Sequence, residues 1–215
     1  MRLTDIIESA RHAGRYVVHA DGAPLATVSA DIIERLGLRV GTSLTESQAD
    51  GVRKESAVLA AYDRAVGMLA VQARSSRDLK RVLVRKGEDA HAVDTAIERL
   101  LALGLLDDAA YARQLARSKM VGQGASRRRV QQEMFKRGIG REQAAEAIEA
   151  TVADEALDEE AIVERVARKK VQSLEGLDPV TRNRRLWSFL ARRGYAVDDI
   201  RRVVARVTAE PDTRE

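Results

Sequence analysis

The chain has no cysteine, which excludes disulfide frameworks, thiol nucleophiles and cysteine-ligated zinc outright. It has three prolines among 215 residues, and only 3% of its residues are aromatic. Helix breakers are therefore scarce, while Ala, Leu, Arg, Glu and Val dominate, a composition that favours helix over sheet. No apolar run approaches the roughly 18 residues of a membrane span, and the first residues carry no signal-peptide core. We expect a cytoplasmic protein with no membrane role.

What is present is a hydrophobic content of 45%, enough for a core, beside 33% charged residues that call for large solvated faces. The first 45 residues differ from the rest. In RYVVHADGAPLATVS two β-prone runs, Arg15 to Ala20 and Leu25 to Val28, flank Asp21-Gly22, a dipeptide suited to positive φ. They predict a small hairpin, with Pro24 leaving open whether its turn is a tight two-residue loop. SADIIERLGL predicts a short helix capped by Ser29 and stopped at Gly37. From Thr45 onward the pattern is helical. Thr45 and Gln48 are spaced as a capping box, and Val58, Tyr62, Ala65, Val66 and Leu69 follow at a helical period as a core face. Further helices are predicted from Ser75 or Ser76 to Gly87, and from about Ala90 to Leu103, where Gly104 ends the run.

A phrase of cations and glycine recurs. Gly87, Gly138 and Gly194 lie 51 and 56 residues apart, a spacing typical of repeated supersecondary units. Eight positions before each stand Leu79, Val130 and Leu186, and four before stand Leu83, Met134 and Leu190. Six positions after stand Val93, Ala144 and Ile200, and ten after stand Ile97, Ile148 and Val204. These are i, i+4 pairs on two successive helices, each burying one stripe against a preceding helix: Val58 to Ala73, Asp108 to Val121, or Glu159 to Leu174. Asp107 or Asp108 is suited to cap the second of these, and Asp178-Pro179 to begin the last unit's middle helix. The expected fold is mainly α: a hairpin and short helix in 1–45, three-helix units in 46–104, 105–155 and 156–209, and a frayed tail at 210–215. Units of about 50 residues are marginal alone, which favours three tandem units in an elongated curved array.

Charge is segregated in this repeat. The middle helices, residues 74–86, 127–137 and 182–193, sum to +5, +4 and +5, in a chain whose net charge is +4. The candidate contacts are Arg81, Arg85 and Lys86 in the first, Arg127, Arg128, Arg129, Lys136 and Arg137 in the second, and Arg185, Arg192 and Arg193 in the third. Cations in the last turn are accounted for by the helix dipole, but Arg127 to Arg129 open their helix, where the dipole disfavours them, and point to a polyanion or acidic partner. A helix, tight turn and second helix also raises the possibility of major-groove reading. The helices after the first two glycines oppose it: Glu88 to Arg99 sums to −3 and Arg141 to Glu155 to −4.

No catalytic constellation emerges. His12, His19 and His91 lack paired-ligand spacing, Asp107-Asp108 has no further acid placed beside it in sequence, and VGQGAS lacks the Gly-Lys-Ser/Thr ending of a P-loop. Neither an enzyme, a metal nor a cofactor is expected.

The phrases LDDAAYA with Asp107, Asp108 and Tyr111, GQGASRRRVQQEMFKRGIG with Gly122, Gly124 and Gly138, and ARSSRDLKRVLVRKG ending at Gly87 together resemble the RecX family of recombination regulators. The likeness covers roughly residues 50 to 207, with a looser last unit around Trp187, SLEGLDPVTRN and Gly194. It implies a non-enzymatic modulator of RecA recombinase, monomeric when free, that lies in the groove of the RecA filament on DNA and inhibits ATP hydrolysis and strand exchange. The same cations also suit a free-standing, sequence-tolerant DNA binder or, failing either target, a passive helical scaffold.

Overall fold

The Asp21-Gly22 turn sets the N-terminal topology. In the computed structural model, which describes residues 1–10 and 12–209, Asp21 and Gly22 have φ of +50° and +81°. They join β2 (Arg15–Ala20) to β3 (Ala23–Ser29) as a two-residue turn, the tight loop the sequence left open. Pro24 does not lengthen the turn; it lies inside β3 opposite His19, where the register slips. The expected hairpin is also one strand short. β1 (Leu3–Glu8) adds to β2 to give an antiparallel sheet ordered β1-β2-β3. Its apolar residues do not alternate, Ile6 and Ile7 being adjacent, and only Leu3 is buried. No period of two marked it as a strand.

Ser29 accepts the Ile32 amide hydrogen bond and begins α1 (Ala30–Arg35). Thr45 and Gln48 form the expected capping box at the start of α2 (Glu46–Val71). This 26-residue helix serves two cores. Val52 and Leu59 pack with Leu3, Val18, Val28 and Ile32 against the sheet. Ala61 and Ala65 pack with α3 (Ser76–Arg85) and α4 (Ala90–Ala102) through Leu79, Leu83, Val93 and Leu100. Of the face read from the sequence, Val66 departs: it is 38% exposed, at the margin of the stripe.

The chain divides into two compact units, Met1–Asp107 and the part from Asp108 onward. The second unit holds two helix triplets. The first comprises α5 (Asp108–Arg117), α6 (Arg127–Lys136) and α7 (Arg141–Asp154), and the next α8 (Glu159–Gln172), α9 (Pro179–Arg192) and α10 (Val197–Ala209). Asp178 accepts the Thr181 amide at 2.9 Å, with Pro179 in the first turn, as the sequence predicts. That backbone hydrogen bond is the leading reason its carboxyl is held below the usual range. The helix expected over Asp108 to Val121 is interrupted, because residues 118–122 wind into one π turn. The twelve apolar residues of the repeat are all 9% exposed or less, so the offsets locate the core in all three triplets. The tail expected to fray, 210–215, lies outside the described residues.

Within the second unit the two triplets meet backbone to backbone. The Ser126 amide donates to the Arg193 carbonyl at 3.2 Å. The Tyr195 hydroxyl donates to the Gly124 carbonyl at 2.8 Å, and burial pushes that phenol up to about 12, so the bond holds throughout neutral pH. Gly194 has φ of +84°, and a Cβ there would lie 2.7 Å from Ser126 Oγ and 2.9 Å from Arg129 Cβ. A Cβ on Gly124 would collide with Val166. Arg127 ties the seam from outside, pairing with Glu149 of α7 and Glu159 of α8.

Gly87 has the same left-handed backbone, φ +93°, but open space around it. Gly87→Ala should therefore cost only the backbone strain of roughly 1–2 kcal/mol, whereas Gly194→Ala should lose a further ~1–3 kcal/mol from overpacking, both read by urea unfolding. Equal losses would mean the seam tolerates a methyl. Leu79→Ala should cost about 2–5 kcal/mol and Val66→Ala within about 0.5 kcal/mol of nothing, measured the same way.

Candidate nucleic-acid interface

The cations of the repeat separate into those with internal partners and those facing solvent. In the first unit Arg74 and Arg81 share Asp78, and Lys80 pairs with Asp94. Arg85 and Lys86 are exposed at the end of α3. In the second unit Arg127 is held by its two glutamates, and Arg137 donates to the Tyr111 hydroxyl at 2.8 Å. Arg193 lies over the Phe189 ring at 4.6 Å and reaches the Gly124 carbonyl at 3.4 Å. Three residues singled out from charge alone thus hold structure together. The position of Arg127 at a helix start, which looks unfavourable in isolation, is balanced by carboxylates from two other helices.

Among the described residues Arg128, Arg185 and Arg192 are exposed and have no ion pair. Arg129 pairs with Glu133 at 2.8 Å, while Lys136 approaches the same carboxylate only at 3.9 Å. The three structural glycines Gly87, Gly138 and Gly194 all adopt positive φ after their middle helices. Asp108 stands in the first turn of α5, with Asp107 preceding it.

The seam between the triplets opens into a cleft of 880 Å³. Gly122, Gly124 and the π turn form one wall, with Lys119 on it. Arg129 enters from α6, Arg192 and Arg193 from the end of α9, and Arg165, Lys169 and Lys170 from α8. Among the described residues seven cations line this space and one acid, Glu133, opposes them. Like charges focused into a concave surface raise the local concentration of anions. Arg129 and Arg192 also line a second cleft, of 510 Å³, with Trp187, Tyr195 and Val197.

Lys119 and the three α8 cations are not legible from charge on the middle helices, because they lie outside them. Glu159, Glu160 and Glu164 nearly cancel the charge of α8. The available signal was spacing: Arg165 and Lys169 are i, i+4 along one edge of the stripe that buries Ile162, Val163 and Ala167. Among the described residues no group of three or more His, Asp or Glu could hold a metal ion, and no helix is long and apolar enough to cross a membrane.

Family models described as the first, second and third three-helix domains of RecX match residues 61–100, 107–148 and 158–204. A regulatory protein RecX of Amycolatopsis mediterranei is 36% identical over 128 residues, covering 60% of this chain and 71% of that one. Another, of Levilactobacillus brevis, is 25% identical over 215 residues, covering all of this chain and 80% of its own length. A crystal structure of regulatory protein RecX shares the fold with a TM-score of 0.72 at 20% identity, covering 97% of this chain and 99% of that one. With the three helix-triplet models matched in order and a relative 36% identical over 71% of its own length, the chain belongs to the RecX family.

Proposed function

We propose that this chain is a cytoplasmic regulator of RecA recombinase, binding in the groove of the RecA filament on DNA and inhibiting ATP hydrolysis and strand exchange by occupancy. The observation that carries this reading is the concentration of cations at the seam of the second unit, in a family whose curated members are named regulatory proteins. Solvent-facing Arg128, Lys136, Arg185 and Arg192, with Arg129 beside them, supply attraction to phosphates. In the first unit exposed Arg85 and Lys86 add to it, Arg81 being paired with Asp78, while Arg127, Arg137 and Arg193 keep the helices in place. Each neutralised phosphate releases counterions, so binding weakens steeply with salt.

A sequence-tolerant DNA-binding protein without a recombinase partner is the second reading. It is favoured by the acidity of α4 and α7, which makes them unsuited to reading bases, and separately by the seven cations that line the cleft of the second unit. In RecA ATPase assays on single-stranded DNA, Arg128→Glu with Arg129→Glu should abolish inhibition while far-UV circular dichroism stays unchanged. Full inhibition by that double variant would refute the assignment. Titration of the wild-type protein against bare DNA and preformed filament at several salt concentrations separates the two readings, tighter binding to bare DNA favouring the second.

A further inference from the structure

The few aromatic residues are unevenly placed. Three of the seven, Trp187, Phe189 and Tyr195, lie on α9 or just after it, and all three border the two clefts. Two are committed to the fold. Phe189 has Arg193 over its ring at 4.6 Å and Lys170 at 5.5 Å, and Tyr195 gives its hydroxyl hydrogen to Gly124. Trp187 is different: it is half-buried, lines the smaller cleft, and makes no hydrogen bond to the described residues.

The clefts differ in chemistry and share a border. The larger is walled by seven cations; the smaller sets Trp187 and apolar Ala191, Val197 and Ile200 beside Arg128, Arg129 and Arg192. Arg129 and Arg192 line both, which makes the two spaces neighbours. A surface that offers charge, then an aromatic face, matches the two halves of an unpaired nucleotide, a phosphate and a base with exposed π faces. A duplex matches it poorly. Its bases are already stacked on each other, and with a persistence length of about 50 nm it does not fold into spaces of 880 and 510 Å³.

We infer that the two clefts form one seat for a single nucleic-acid strand, its phosphates against Lys119, Arg165, Lys169 and Arg192 and one base against Trp187. This deepens the proposed function, resting on its reading of the seam as a polyanion surface, but it involves no recombinase. The strand enters an already ordered unit, because the seam is fixed by Gly194, Tyr195 and Arg127 whether or not a ligand is bound. Arg165 and Lys169 are exposed and carry no ion pair among the described residues, so they meet phosphates without first breaking a protein contact.

Trp187 is the only tryptophan of the chain, so its fluorescence reports the site directly. The full-length protein is titrated with an oligothymidylate of roughly 12 nucleotides, with a duplex of the same length, and with tripolyphosphate. The single strand should quench Trp187, the duplex should bind about tenfold more weakly, and tripolyphosphate should displace the strand only at large excess. Arg165→Gln with Lys169→Gln should weaken strand binding about tenfold near 0.1 M salt and make the salt slope shallower by about 1.4. Arg201→Gln with Arg202→Gln on α10 removes the same charge outside both clefts and should change affinity little; thermal unfolding checks that both variants fold. The seat is overturned by unchanged Trp187 fluorescence at saturation, by duplex binding as tight as the single strand, by equal effects of the two double variants, or by displacement with equimolar tripolyphosphate. Wild-type protein that binds the strand with a quench but never slows RecA would sink the proposed function and keep the seat; protein that slows RecA with a silent Trp187 would do the reverse.

Discussion

The candidate site depends on one close approach, that of the backbones at Gly124 and Gly194 to the neighbouring triplet. A methyl group at either position occupies space already filled by Val166 or by Ser126 and Arg129. Because neither glycine has one, the start of α6 packs directly on the end of α9. The Ser126 amide and Tyr195 hydroxyl then find carbonyl partners across the seam. Such hydrogen bonds contribute about 1 kcal/mol each when satisfied, and leaving a buried partner unsatisfied costs more. Their larger effect is geometric. They bring charged residues from α6, α8 and α9 around one void, at distances that no single helix could arrange.

Charge at the seam is tolerable because it is divided between two tasks. Arg127, exposed by about a third, bridges two glutamates whose own helices would otherwise present bare carboxylates near the cleft. Arg193 spreads its charge over an aromatic face, an arrangement that suits a planar and weakly hydrated guanidinium. These pairs bind helices together and contribute little to attracting a ligand. The cations left over, Arg128, Arg165, Lys169 and Arg192, lie in high dielectric, where mutual repulsion is modest and a bound anion would offset it further. A basic helix is therefore not a uniform surface, and net charge along it overstates what a partner meets.

The helical register was legible in the sequence because twelve apolar residues at fixed distances from three glycines leave little freedom in which face turns inward. Caps were legible for the same reason: Thr45, Ser75 and Asp178 stand three residues ahead of amides that need an acceptor. β1 was not, since its burial comes from pairing with β2 and from the 41–44 segment at its other edge, contacts that leave no period in six residues. The site was half legible. Charge counting found Arg128, Arg129 and Arg192, but it could not distinguish them from Arg127 or Arg137, whose partners lie on helices distant in sequence. It passed over Arg165 and Lys169 because neighbouring glutamates on α8 masked them. Nor did the glycine phrase disclose its full role. Gly194 ends a helix, as its spacing suggests, and also removes a side chain where two triplets touch.

A cleft built in this way suits recognition without chemistry. Its charged groups come from long, flexible side chains at the rim, and the groups held rigidly, Tyr195, Arg193 and Phe189, are engaged with one another or with the backbone. Catalysis asks for the opposite: reactive groups locked in place and supported by a second layer of contacts. Under the proposed function, long cationic side chains around the seam would adjust to phosphates of varied position, gaining through counterion release what they lose in geometric precision. Sequence tolerance would follow from the same property, because phosphates repeat identically along any strand. In the proposed seat selectivity would come from elsewhere, from the shape of the seam and from whatever the bases of a strand meet, and half-buried Trp187, which lines the smaller cleft, is the group that would meet them.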